Sequence, residues 1–168
     1  MKPSDLLLAA TLAATVATTF PKVTGKNLDG KTFNLPGDFA APVSLVFVAF
    51  DRKQQSDVDS WHPFATDLTS RFAHLKVYEL PTLSKSYSFV RGFIDGGMRS
   101  GIPDPAVRAA TITLYIDKKP FEDALGITTE SAIVLLLVKP DGTILWRTAG
   151  RYDPAHKPDI DQYLAPDK

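Results

Sequence analysis

The stretch Ser131-Ala-Ile-Val-Leu-Leu-Leu-Val-Lys-Pro-Asp-Gly-Thr-Ile-Leu-Trp-Arg147 decides the architecture. Ser131 to Val138 is almost continuously apolar, as in a strand covered on both faces, and Thr143 to Arg147 is rich in branched and aromatic residues. Between them Pro140-Asp141-Gly142 supplies the turn: proline presets φ, and glycine accepts the positive φ of a tight reversal. The unit reads as an antiparallel hairpin with a buried first strand. Just upstream, Thr111 to Ile116 reads as a further strand, and Pro120 to Leu125 has the length of one or two helical turns stopped by Gly126.

Working outward, Val43 to Phe50 is a second continuous apolar run and is expected near the centre of the sheet. From Gln54 to Phe72 the apolar residues Val58, Trp61, Phe64, Ala65, Leu68 and Phe72 recur at helical spacing, so a helix follows this strand directly. Leu75 to Leu80 alternates as a short strand that Pro81 is expected to end. Tyr87 to Met98 places Phe89, Val90, Phe93 and Ile94 on one helical face, with Gly96, Gly97 and Gly101 expected to close it. Pro103-Asp104-Pro105 opens a short helix through Ala110. At the amino-terminal side, Val23 to Pro36 contains two extended pieces around Asp29-Gly30, a hairpin signal, and Asp159 to Leu164 reads as a short terminal helix. There is no internal repeat and no linker. The sum is an α/β domain: a mixed central sheet flanked by helices on both faces, with an amino-terminal hairpin.

The 168 residues suit one domain, 20–168, behind a segment 1–19 that reads as a signal peptide or an amino-terminal helix. In that segment Lys2 precedes an apolar run, Leu6 to Ala17, with Thr15 and Ala17 spaced as small residues before a cut. The run is too short to span a bilayer. Asp5 and Pro3 fit a leader poorly, and Ser4 fits a helix cap. The location expected is exported, periplasmic or otherwise extracytoplasmic, if residues 1–17 are a signal, and cytoplasmic otherwise. Hydrophobic residues at 44% and charged residues at 23% exclude a disordered chain and a membrane-embedded one. Nineteen basic and nineteen acidic residues cancel, so no general attraction draws the chain to nucleic acid. It contains no cysteine, which excludes disulfides, iron–sulfur clusters and zinc–thiolate sites.

The element order resembles the thioredoxin-like fold. Ala124-Leu-Gly-Ile127 followed by Ala132 to Trp146 and Gly150 is similar to the closing half of peroxiredoxin and related redoxin domains. Leu28-Asp-Gly-Lys-Thr-Phe-Asn-Leu35 is similar to their amino-terminal hairpin. In redox-active members the resemblance places a nucleophilic cysteine just after the first central strand, at a helix amino terminus that stabilises the thiolate. Here that junction reads Phe50-Asp-Arg-Lys-Gln-Gln55. Many members also carry a cis-proline before the penultimate strand, where this chain has Thr128-Thr129-Glu130-Ser131. Without a thiol, neither a disulfide cycle nor a peroxide cycle can run. Phe20-Pro21, Gly30-Lys31, Leu35-Pro36, and Gln55 with Val58, Asp59, Ser60 and Trp61 resemble the mitochondrial ATP-synthase assembly factor group and its bacterial relatives. That resemblance implies a chaperone-like, non-redox role.

Candidate binding residues follow from position and chemistry. Asp51, Arg52 and Gln55 stand at the former thiol position, where free helix amides and an arginine fork suit an anion or carboxylate; alternatively Asp51 caps the helix and the others are solvated. Trp61 is a possible ligand platform, but its place on the apolar stripe reads as core. Arg91, Arg99 and Arg108 flank a glycine-rich turn suited to phosphate or carboxylate, although Arg91 and Asp95 are spaced as an ordinary helical pair. Arg151, with Arg147, Trp146 and Tyr152, reads either as an interface patch or as a charged sheet edge. Histidines 62, 74 and 156 show no metal spacing, no phosphate loop or serine-hydrolase elbow is present, and no cofactor is expected. The expected function is a non-redox domain that binds a protein or peptide partner. A small-anion binder, or an enzyme using Asp51 as a base, is the alternative.

Overall fold

A computed structural model describes residues 19–156 and 158–165, so the apolar run Leu6–Ala17 lies outside the described residues. The strands are β1 (Val23–Asn27), β2 (Thr32–Leu35), β3 (Val43–Ala49), β4 (Leu75–Ser84), β5 (Ile112–Ile116), β6 (Val134–Val138) and β7 (Ile144–Ala149). The helices are α1 (Gln55–Arg71), α2 (Arg91–Gly101), α3 (Pro105–Ala110) and α4 (Lys118–Leu125), with 3₁₀ turns at Arg52–Gln54, Lys85–Val90, Pro154–His156 and Asp161–Tyr163. All seven strands form one sheet in the order β2-β1-β5-β4-β3-β6-β7. The β3–β4 and β4–β5 pairs are parallel and the remaining pairs antiparallel.

Strand periodicity divides the core into two layers. Val46 and Val48 of β3 join Val134, Leu136 and Val138 of β6 on the face covered by Phe121 and Leu125 of α4. Leu45 and Phe47, with Leu135 and Leu137, point to the opposite face, where Val58, Trp61, Phe64, Ala65 and Leu68 of α1 cover them. Successive side chains of a strand face opposite ways, so a run apolar at every position needs both layers. The hairpin turn forms as its residues require, with Gly142 at φ 94°.

Several elements differ from their sequence reading. Strand β4 does not stop at Pro81 but continues to Ser84. Pro81 lies opposite Ala49, the last residue of β3, so its missing amide falls where that ladder ends, while Thr82 to Ser84 pair onward with β5. Gly96 and Gly97 do not close α2; they lie inside it, and the helix runs to Gly101. Glycine disfavours a helix interior by about 1 kcal/mol, and tertiary anchoring opposes that cost. Tyr115 of β5 donates to Asp95 at 2.8 Å, and the Arg91 guanidinium lies 4.6 Å from the Tyr115 ring centre. The expected Arg91–Asp95 pair is thereby replaced by a shared clamp on Tyr115. Strand β6 starts at Val134 rather than Ser131, since β3 offers partners only that far, and β7 extends to Ala149. The terminal helix shrinks to one 3₁₀ turn, which suffices to bury Ile160 and Leu164 under α1 while Asp161 takes Arg71 at 2.5 Å.

Gly25 marks the tightest approach in the sheet. A Cβ there would stand 2.7 Å from Leu114 Cδ2, 2.8 Å from Ile112 Cγ2 and 2.8 Å from the Thr113 carbonyl oxygen. The last is backbone and cannot rotate away. Gly25→Ala is therefore expected to destabilise the domain by about 1–3 kcal/mol, readable in a urea titration as a lower midpoint with an unchanged slope.

Candidate functional site

The carboxyl end of β3 is a topological switch point: one connection leaves it through α1 on one face, and α4 returns to β6 on the other. In open α/β sheets the crevice at such a point is where ligands are bound. Here it is lined by the turn into α1, the loop Thr128–Ser131 before β6, and the first turn of α4. The strand–helix junction Phe50–Gln55 and the loop Thr128–Ser131 face one another, with Gln54 Nε2 on the Glu130 carbonyl. Among the described residues the cis X–Pro bond is Leu35–Pro36, at the end of β2 and outside this loop.

Gln54, which the sequence reading passed over, joins the two sides. It is buried, and its Oε1 accepts from the backbone amides of Phe50 at 2.8 Å and Asp51 at 3.3 Å. Its Nε2 donates to the Glu130 carbonyl at 2.6 Å. Asp51 completes a capping box by accepting from the Lys53 amide at 2.8 Å. These bonds satisfy the amides of Phe50, Asp51 and Lys53 with the chain's own side chains. Gln54 stands four residues before Val58 and so continues the buried stripe of Val58, Trp61, Ala65 and Leu68, which turns its side chain inward. Gln55 is exposed and donates to Asp59 at 3.0 Å. Arg52 is exposed on the rim.

Beneath the rim lies a second polar group. Lys118 Nζ stands 2.5 Å from Glu130 Oε1 and 6.0 Å from the Phe50 ring centre. Glu122 of the same helix has one carboxylate oxygen buried without a hydrogen bond. Lys118 holds the Glu130 carboxyl below the ordinary glutamate range, while burial first, and then the neighbouring Glu130, push Glu122 above it. The two act in opposite senses. Glu122 contributes stability in acid that is lost as pH rises through its raised value. Glu130 contributes stability above the ordinary range that is lost as pH falls through its lowered value. Glu122→Gln keeps the shape without the charge and is expected to raise the Tm near neutrality while leaving it unchanged in acid. Melting curves between about pH 4 and about pH 8 check this.

The other candidates disperse. Trp61 is 4% exposed and its indole donates to the Gly150 carbonyl at 2.9 Å, so it is a core residue and offers no ligand platform. Arg91 lies over Tyr115, whereas Arg108 and Arg99 approach Asp29 of the β1–β2 turn at 3.4 and 3.8 Å. Arg108 also donates to the carbonyls of Ile102 and Pro103 at 2.9 and 2.8 Å. The three arginines serve their own chain and do not converge on one opening. Arg151 reaches Asp57 and the Ser56 carbonyl in the first turn of α1, both at 3.4 Å. Arg147 lies on the opposite face, where it donates to the Leu125 carbonyl at the end of α4. Trp146 and Tyr152 are partly buried against the α1 layer, while the Arg151 side chain stays exposed beside Asp57. Asp51, the one carboxylate at the rim considered as a base, is exposed and occupied as a cap. No group of three or more histidine or carboxylate side chains is placed to hold a metal ion among the described residues. None of the described helices is long and apolar enough to cross a membrane.

No protein-family model matches the chain, and no curated protein matches it. Solved structures do. BsSco, a member of the Sco family of cytochrome c oxidase assembly proteins, is 14% identical, with a TM-score of 0.56 over 88% of this chain and 92% of that one. The thioredoxin domain of a thiol-disulfide oxidoreductase from Bacteroides vulgatus is 16% identical, with a TM-score of 0.51 over 89% and 98%. A thiol:disulfide interchange protein from Bacteroides sp. is 17% identical, with a TM-score of 0.51 over 79% and 80%. At such identities the likeness concerns the backbone. The mixed seven-stranded sheet, with α1 leaving the end of β3 and α4 leading into β6, is a thioredoxin-like fold in a chain without cysteine.

Proposed function

We propose that this chain is a non-redox thioredoxin-like domain that binds a protein or peptide partner in an assembly or chaperone-like role, in an exported or membrane-proximal setting. One observation carries the reading: Gln54 bridges Phe50, Asp51 and Glu130 across the crevice where a thiol would react. The amides of Phe50, Asp51 and Lys53 are taken by Gln54 and Asp51, and Arg91, Arg99, Arg108 and Arg151 contact groups of their own chain, which argues against small-anion binding and base catalysis, while Arg52 stays exposed at the rim. A scaffold whose crevice is closed acts through its outer surface. The resemblance to the ATP-synthase assembly factor group supports this role, and the likeness to a cytochrome c oxidase assembly protein is in keeping with it.

The test is capture at endogenous level followed by binding of the purified pair. The same partner is expected to be recovered reproducibly, with an affinity unchanged by oxidant or reductant and reduced by Arg52→Ala or Arg151→Ala at the exposed rim. No reproducible partner, together with measured turnover on a small substrate, overturns the reading.

A further inference from the structure

The segment from Lys85 to Gly101 combines three features that the partner-binding reading does not use. First, Tyr87, Phe89 and Phe93 are 53%, 84% and 87% exposed, the largest exposures among the big apolar side chains described. A soluble surface leaves scattered apolar residues uncovered, but two phenyl rings four residues apart, Phe89 in the 3₁₀ turn and Phe93 in the first turn of α2, both almost fully in water, form a ridge. Second, the rings stand apart from the neighbouring cleft. The shallow cleft beside α2 is lined by Gly92, Asp95, Gly96 and Arg99 against the β1–β2 turn and takes none of the three rings. Third, the exposed charge beside the rings is positive: Lys85 is exposed, Lys85 to Ile94 contains no acid, and Arg91 is turned onto Tyr115. The only acid of α2, Asp95, is turned inward onto Tyr115.

We infer that this aromatic ridge is a membrane-contact surface which seats the domain on an anionic lipid bilayer, with Phe89 and Phe93 inserted at the level of the headgroups. Rings standing clear of the surface are covered well by a fluid medium, which moulds around them. Tyrosine and phenylalanine beside an exposed lysine make a composition that settles at a lipid interface. The Arg91–Tyr115–Asp95 clamp ties the start of α2, which carries Phe93, to β5. The net charge of the whole chain is zero, so the attraction is local, short in range and screened by salt.

Flotation of the full chain with vesicles tests the inference. The native chain is expected to float with mixed phosphatidylcholine–phosphatidylglycerol vesicles, less with phosphatidylcholine alone, and less at high salt. Phe89→Ser with Phe93→Ser is expected to lower the partition coefficient by at least about tenfold. Because both rings are exposed, the double variant keeps its Tm. Lys85→Gln is expected to cost about fivefold on anionic vesicles and nothing on neutral ones. The inference is overturned if the native chain does not float with anionic vesicles. It is equally overturned if the double variant floats as the native chain does, since binding then rests elsewhere, for example on the apolar run Leu6–Ala17. A dimer seen by sedimentation and abolished by the double substitution assigns the ridge to a second copy of the chain and also overturns it.

Discussion

Trp61→Ala is expected to cost about 3–5 kcal/mol of folding stability, the largest effect of any single change at a candidate position. The ring is 4% exposed and lies 4.9 Å from Tyr152 and 5.7 Å from Phe64, centre to centre. Its indole nitrogen holds the Gly150 carbonyl just beyond β7. Truncation therefore opens a cavity, strands a polar atom and loosens the segment after β7, which also leans on α1 through the Tyr152 amide and Ser60 Oγ at 3.0 Å. Total stabilities of such domains are about 5–15 kcal/mol, and each kcal/mol is worth about 2–4 °C at this size, so a fall in Tm of roughly 10 °C is expected. Arg52→Ala on the exposed rim is expected to stay within about 0.5 kcal/mol. Thermal melts of the two variants separate a core residue from a surface contact. Equal, negligible shifts would return Trp61 to the surface.

Gln54→Ala is expected to cost about 2–4 kcal/mol, from removal of one buried amide that serves three backbone groups. The Glu130 carbonyl loses its donor, and the amides of Phe50 and Asp51 lose their shared acceptor. Gln54→Glu discriminates further. The carboxylate still accepts from both amides but offers the Glu130 carbonyl no hydrogen unless protonated. Its pKa in the folded chain is therefore expected to rise, so its stabilising contribution is present in acid and lost as pH rises through the raised value. Denaturant midpoints that fall from acid to neutral pH in the Gln54→Glu variant, more steeply than in the native chain, are the expected signature.

The fold was legible because its strongest signals are local. Continuous apolar runs at Val43 to Phe50 and Ser131 to Val138, a turn at Pro140-Asp141-Gly142 and a helical stripe through Val58 to Phe72 each need one arrangement, and all agree. Proline and glycine misled where tertiary structure outweighs local preference. Pro81 sits at a ladder's end, and Gly96 and Gly97 are held in a helix that is clamped from β5. The site was less legible. Gln55 was singled out by its place at the strand–helix junction, whereas Gln54, four residues before Val58, continues the apolar stripe and is the residue turned inward. That spacing, with the Asp51-x-x-Gln54 pattern of a capping box, was the available signal for it. Arginines at 91, 99 and 108 looked convergent along the sequence, but their partners Tyr115 and Asp29 lie on strands and turns that only the folded sheet brings near. The aromatic side chains at 89 and 93 read as a helical face, and nothing local shows that no layer covers it.

Amide hydrogen exchange at Phe50 and Asp51 tests the closed crevice most directly. In the native chain both amides are expected to exchange slowly, as bonded groups do, and in Gln54→Ala both are expected to speed up while the β3 amides before them stay protected. Rapid exchange at Phe50 and Asp51 in the native chain, unaltered by the substitution, would mean that the amides are open to a ligand and would contradict the account.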